Sequence, residues 1–151
     1  YTQKVRLIKK VLIQPAADPK HIVALFLVEM GYYRWPSAGP DWRAQTDGFP
    51  RAEHSGQDNN QQWRVIGALN ACTGRVSYFQ DYIVGRKQVS AFYRQLAEQY
   101  ARFEKVYVIE DNWNIHTHDD VQATLKQLPH LEVVGLHTYA SWLNPIEKLW
   151  R

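Results

Sequence analysis

The composition is that of a folded domain without membrane or disulfide features. The 151 residues are 45% hydrophobic and 13% aromatic, which supports a buried core and excludes global disorder. A single cysteine, Cys72, excludes an internal disulfide and a cysteine-pair metal finger. No apolar run reaches the roughly 18 residues of a membrane span, and there is no secretory signal, so we expect a cytoplasmic protein. The net charge of +3 permits nucleic-acid binding without requiring it.

The N-terminal third predicts a basic helix, a central strand and an irregular loop. Apolar residues near helical spacing alternate with basic ones in the first 14 residues, which predicts a linker helix within residues 1–20 that Pro15 and Pro19 break. Residues 22–28 form an unbroken, β-branched apolar run, typical of a strand buried on both faces. Residues 31–60 are rich in Gly, Pro, Asn and aromatic residues, which predicts an ordered loop.

The rest of the chain predicts further strands that come to alternate with helices. The predicted strands are 63–70, 76–83, 106–109 and 131–136, and a hairpin turn over 71–74 joins the first two. Apolar residues recur at helical intervals from Val89 to Tyr100, a second helix covers 121–128, and a third begins near Pro145. Three antiparallel strands followed by alternating strands and helices predict an α/β fold, a mixed sheet with helices on both faces.

Acidic residues occur at two places where function is expected. Asp111 follows the buried strand 106–109, and sites in α/β sheets form at such strand ends; the alternative is an Asx turn that only closes the strand. Near the C-terminus, Asn144 is a candidate helix N-cap and Pro145 the first helical residue. Glu147 then lies in the first turn, where an acid also simply complements the helix dipole.

Taken together, these motifs are more specific than either alone. Asp111-Asn112 after a strand, then Asn-Pro-Ile-Glu-x-x-Trp over 144–150, with 35 residues between the acids at 111 and 147, resembles the DDE-superfamily transposases of mariner and bacterial insertion-sequence type. The stretch 26–31, Phe-Leu-Val-Glu-Met-Gly, is similar to that family's first-strand motif. The resemblance covers residues 22–151.

The resemblance implies a fold, a chemistry and partners. We expect a ribonuclease-H-like catalytic domain over residues 21–151, in a longer protein whose DNA-binding domain precedes it. The expected activity is metal-dependent cleavage and strand transfer of double-stranded DNA by a nucleoid-associated homodimer. Two Mg²⁺ or Mn²⁺ ions are expected, since carboxylates suit hard cations and paired cations stabilise both the attacking and the leaving oxygen. Matched to the family, Asp111 is the second metal-binding acid and Glu147 the third. The predicted DNA contacts are Asn112, His116, Asn144 and Lys148.

The first acid of the family motif is missing. The position belongs to Val28, and its neighbour Glu29 is expected to point away from the site because successive strand residues face opposite sides. Metal binding and cleavage are therefore expected to be impaired. One alternative is a catalytically dead module retained for DNA binding or oligomerisation, and another is a nuclease whose acid set uses Glu29. The loop before Glu147 also departs from the family, with His137 and Ser141 where proline is common.

A second polar group lies just beyond Asp111. His116, His118, Asp119 and Asp120 have the residue types of a zinc or manganese site. Alternatively, the two aspartates cap the following helix and His116 faces DNA, which is the interpretation we favour.

Overall fold

The computed structural model describes residues 2–33, 62–136 and 144–150. The α-helices are α1 (Thr2–Ala17), α2 (Arg86–Gln99) and α3 (Asp119–Lys126). The strands are β1 (Ile22–Tyr33), β2 (Gln62–Asn70), β3 (Val76–Asp81), β4 (Lys105–Glu110) and β5 (Leu131–Gly135). Short 3₁₀ helices cover Asn114–Thr117 and Pro145–Trp150, and the latter is called the C-terminal 3₁₀ helix below.

The described strands form one mixed sheet with β1 at its centre. Their order is β3-β2-β1-β4-β5. The first three strands are an antiparallel meander, while β4 and β5 add to β1 in parallel. The predicted strand order and mixed sheet are therefore confirmed.

Side chains alternate along β1 between two hydrophobic clusters, one on each face. Leu25 and Leu27 belong to the cluster that includes the apolar faces of α2 and α3, whereas Phe26 and Val28 belong to the cluster that includes α1 and the C-terminal 3₁₀ helix. A strand covered on both faces needs apolar residues at every position, which explains the unbroken run that predicted it. The predicted helices on both faces are confirmed.

The N-terminal helix differs from its prediction at its end. Pro15 was expected to break the helix, but α1 continues to Ala17 with Pro15 inside it. The proline φ angle fits a helix, and although Pro15 cannot donate a backbone hydrogen bond, only two further residues of the helix follow it. Ile8 and Val11 of α1 are buried against the sheet, and Tyr107 donates a hydrogen bond to Gln14. The role of α1 as a linker stays a prediction.

The strand ends also differ from the prediction. Strand β1 runs to Tyr33, beyond the predicted end at residue 28, because its second half pairs with β2 up to Tyr33 opposite Gln62. Strand β3 ends at Asp81 instead of residue 83. The turn between β2 and β3 is as predicted, with Gly74 at a φ of 71°. The described residues do not include residues 34–60 of the predicted irregular loop, nor do they include His137 and Ser141.

Candidate functional site

The candidate site lies where β1 and β4 run side by side. In their parallel register the last pair is Phe26 and Ile109; Val28 lies two residues further along β1, and Asp111 follows the last residue of β4. Val28 is 2% exposed and shares its buried cluster with Ile109 and with Ile146, the residue before Glu147. The position of the missing first acid is therefore on the face that the C-terminal 3₁₀ helix covers.

Glu29 approaches Asp111, contrary to the prediction that it points away. Ligand atoms of Glu29, Asp111 and His116 all lie within 4.8 Å of one another, and we call these three residues the acid–histidine cluster. Alternation does hold along β1, since Val28 faces the opposite side. Asp111, however, follows the last residue of β4, so the strand does not fix the direction of its side chain. The prediction failed because it extended strand geometry one residue too far.

His116 is buried beside the acids, and its predicted contact with DNA stays a prediction. Its side chain is 4% exposed, and its Nε2 atom lies 3.2 Å from Oε1 of Glu29. The other ring nitrogen, Nδ1, is 3.0 Å from the hydroxyl of Tyr93, which donates a hydrogen bond to Glu110. The His116 ring is thus held from behind by α2 and β4 and directed at Glu29.

The charges in this network shift one another's protonation. Burial raises the pKa of the Glu110 carboxyl to about 7, against the lowering effects of His116 and Tyr93. Burial lowers the pKa of His116, but the adjacent Glu29 and Glu110 carboxylates outweigh it, so the net shift is upward. Burial and the neighbouring Glu110 also raise the pKa of Tyr93, which keeps its hydroxyl protonated. Negative charge from several carboxyl groups therefore concentrates at the end of β4.

Asp111 makes the Asx turn that was considered as an alternative to a functional role. Its Oδ1 accepts a hydrogen bond of 3.1 Å from the backbone N–H of Trp113. A carboxylate has two oxygens and several lone pairs, so the turn does not prevent metal binding. Asp111 and Glu29 also line an open pocket of about 190 Å³, together with Arg64 and Trp113. The acids are therefore reachable from solvent.

The other predicted site residues occupy different environments. Asn144 is 1% exposed and donates a 2.8 Å hydrogen bond to the carbonyl of Leu27, and its predicted DNA contact stays a prediction. Its Oδ1 accepts from the backbone N–H of Ile146, which confirms the predicted N-cap. Glu147 lies in the first turn of the C-terminal 3₁₀ helix and is half-buried, but it is not a member of the acid–histidine cluster.

Two predicted DNA contacts are compatible with the structure but stay predictions. Asn112 is exposed and lies two residues after the end of β4. The backbone of Lys148 lies in the C-terminal 3₁₀ helix, while its side chain is outside the described part of the chain.

The side chains of His118, Asp119 and Asp120 stabilise the N-terminus of α3. His118, not an aspartate, is the N-cap, and its Nδ1 accepts a hydrogen bond from the backbone N–H of Asp120. Asp119 and Asp120 occupy the first turn, where negative charge complements the helix dipole. Asp120 also pairs with Arg86 at 3.2 Å. The predicted capping of this helix is confirmed, but the cap is His118 and not the aspartates.

Sequence reasoning missed Tyr93 and Glu110 as parts of the site. Tyr93 was assigned only to the apolar face of α2, and Glu110 was passed over for its neighbour Asp111. An acid as the last residue of a buried strand is a usable signal, since a carboxyl there needs a buried partner. Nothing in the sequence indicates that the partner is Tyr93.

Known proteins share both the sequence pattern and the fold. A family model described as DDE superfamily endonuclease matches residues 37–151. The 39 kDa protein of insertion element IS630 from Shigella sonnei is 31% identical over 120 residues, which cover 77% of this chain and 33% of that protein. The chain thus spans about a third of that relative.

Two solved structures of a mariner transposase share the fold. The Mos1 paired end complex with Mn matches with a TM-score of 0.60 at 12% identity, covering 94% of this chain and 44% of that one. The catalytic domain of Mos1 transposase matches with a TM-score of 0.53 at 16% identity, covering 95% and 63%.

The fold and the acidic residues where β4 ends beside β1 indicate the class of protein to which the chain belongs. The mixed five-stranded sheet with helices on both faces is that of ribonuclease-H-like catalytic domains of transposases. Because the family model covers most of its length, the chain belongs to the DDE superfamily endonucleases. The resemblance noted in the sequence is confirmed. Among the described residues, no helix has the length and apolar character to cross a membrane.

Proposed function

We propose that the chain is the catalytic core of a transposase that cleaves and joins DNA phosphodiesters with a divalent cation held by Asp111 and Glu147. The observation that carries the proposal is the shared burial of Ile109, Ile146 and Val28 on one face. Asp111 lies two residues after Ile109, and Glu147 directly follows Ile146. The packing therefore supports an approach of these acids at the level of residue 28.

The pair of metal ions that the family implies does not fit the residues around Val28. Two Mg²⁺ or Mn²⁺ ions need a carboxylate that bridges them, and the side chain at the corresponding position is the apolar, buried Val28. We therefore propose severely impaired cleavage and derive no step that needs two ions. The Mos1 paired end complex is a complex with Mn, which supports Mn²⁺ as the cation for the first assays.

A plasmid-nicking assay in Mn²⁺ tests the proposal. We expect slow nicking by the wild-type chain, loss of it in Asp111→Asn and Glu147→Gln, and wild-type behaviour in Glu98→Gln, which changes an exposed acid on α2. Val28→Asp should nick at least about tenfold faster, since a carboxylate adds a metal ligand. Wild-type nicking that survives both Asp111→Asn and Glu147→Gln would overturn the assignment.

The buried Val28 also favours a second candidate, a catalytically dead domain retained for DNA binding or oligomerisation. In that case the wild-type chain binds duplex DNA in a gel-shift assay but does not nick it. The proposed partners are the same for both candidates: double-stranded DNA in the cytoplasm, associated with the nucleoid, and a second copy of the protein in the longer, DNA-binding form. Sedimentation of that longer protein with and without DNA measures the proposed homodimer.

A further inference from the structure

We infer that Glu29, Asp111 and His116 form a second type of metal site, one that takes a divalent transition-metal ion such as Mn²⁺, Co²⁺ or Zn²⁺ in preference to Mg²⁺. The site shares Asp111 with the proposed function but lies on the other side of β1 from Val28 and requires no catalysis. It contains neither the position of the missing acid nor Glu147.

The contact between His116 and Glu29 is the first observation. Nε2 of His116 and Oε1 of Glu29 lie 3.2 Å apart, and both atoms are fully buried. Among the described residues neither atom has a hydrogen-bond partner, although the two form an ion pair when His116 is protonated. When the ring is neutral, both buried atoms lack a partner, and a bound cation would remove the free-energy cost of leaving them so.

The orientation of the imidazole is the second observation. Tyr93 donates its hydroxyl proton to Glu110, so its oxygen accepts the Nδ1 proton of His116. In the neutral ring this leaves a lone pair on Nε2, directed at a carboxylate oxygen. Metal-binding histidines typically donate their second ring N–H to an oxygen that fixes the tautomer, and the Tyr93–Glu110 pair supplies that oxygen.

The spacing between the His116 and Glu29 ligand atoms also fits a metal ion. With metal–ligand bonds of about 2.1 Å, neighbouring ligand atoms in tetrahedral or octahedral geometry lie about 3.0–3.4 Å apart. The distance between Nε2 and Oε1 is within that range. Glu29 and Asp111 face the open pocket, which leaves room for water or a phosphate oxygen at the remaining positions.

The ligand set determines which metal is preferred. Mg²⁺ prefers all-oxygen sites and retains water, whereas imidazole nitrogen favours first-row transition metals. Two carboxylates and one imidazole therefore predict that Co²⁺ and Zn²⁺ bind more tightly than Mn²⁺, and that Mg²⁺ binds most weakly.

Titration with Co²⁺, followed by visible absorption and calorimetry, tests the inference. We expect one Co²⁺ per chain, displacement by Zn²⁺, and an affinity for Mg²⁺ lower by at least about 100-fold. Glu29→Gln keeps the shape of a half-buried side chain and should weaken Co²⁺ binding by on the order of 100-fold. Glu98→Gln is the matched control and should bind like the wild type.

Two further measurements separate this site from the proposed function and from a simple ion pair. Glu147→Gln should retain Co²⁺ affinity while losing nicking, so the two proposals fail independently. The ¹⁵N resonance of His116 Nε2 should move on addition of Zn²⁺. A resonance that stays at the position of a protonated nitrogen, or unchanged Co²⁺ affinity in Glu29→Gln, would mean that His116 and Glu29 are only an imidazolium–carboxylate pair and would overturn the inference.

Discussion

Replacing Val28 by aspartate tests whether the missing acid belongs to the metal site. Val28 is 2% exposed and lies in an apolar part of the core on the face that contains Ile109 and Ile146. A carboxylate there without a counter-charge should lower the free energy of unfolding by about 3–5 kcal/mol. Asparagine has nearly the same shape but no charge, so Val28→Asn should cost about 1–3 kcal/mol, the penalty of a buried unsatisfied polar group.

A divalent cation should remove most of the difference in free energy of unfolding between Val28→Asp and Val28→Asn. If the introduced aspartate joins Asp111 as a ligand, Mn²⁺ at a hundred times its dissociation constant stabilises the folded state by about 2.7 kcal/mol. That gain is close to the difference expected between the aspartate and asparagine variants. Urea unfolding at neutral pH, with and without Mn²⁺, measures both quantities. Equal stabilisation of the two variants by Mn²⁺ would show that position 28 does not contribute to the site.

Three further substitutions test the structure around the site. Asn144→Ala should lower the free energy of unfolding by about 2–4 kcal/mol, because it removes a helix cap and a buried hydrogen bond to β1, whereas Asn114→Ala at an exposed position should change it little. Tyr93→Phe should weaken Co²⁺ binding about 10–100-fold, since it removes the oxygen that orients the His116 ring. Gly74→Ala should cost about 1 kcal/mol, because its φ of 71° is strained for other residues.

Each of these expectations has a result that contradicts it. Equal urea midpoints for the Asn144 and Asn114 variants would mean that the C-terminal 3₁₀ helix is not held to β1 by Asn144. Unchanged Co²⁺ affinity in Tyr93→Phe would remove the proposed role of the hydroxyl. An increase in melting temperature for Gly74→Ala would show that the turn relaxes to another conformation.

The sequence predicted the parts of the fold that depend on local pattern. Strand β4 was placed to within one residue at each end, because its side chains are buried on both faces and leave an unbroken apolar run. The turn before Gly74 and the cap at Asn144 were also predicted, since both depend on the conformation of a few adjacent residues.

Long-range contacts could not be predicted in the same way. His116 is 23 residues from Tyr93, and Asn144 is 117 residues from Leu27, so neither contact leaves a periodic signal. The DNA contacts of His116 and Asn144 were predicted from the resemblance to the family and not from their surroundings. Their burial depends on which helix covers each face of the sheet, and this follows only from the complete fold.

Where β4 ends beside β1, acidic residues lie near both faces of the sheet, so the chain can lose the family's metal site without losing all metal binding. On one side, Val28 leaves the partners of the missing acid, Asp111 and Glu147, without a third carboxylate. On the other side, Glu29 and His116 present unpartnered atoms to each other beside Asp111. Because Asp111 lies beyond the end of β4, its side chain can serve either side but cannot serve both fully with its two oxygens. Metal bound at the acid–histidine cluster should therefore compete with metal bound near Glu147. Val28→Asp should then shift the preference of the chain from Co²⁺ toward Mg²⁺, and an unaltered ratio of the two affinities would show that the sites are independent.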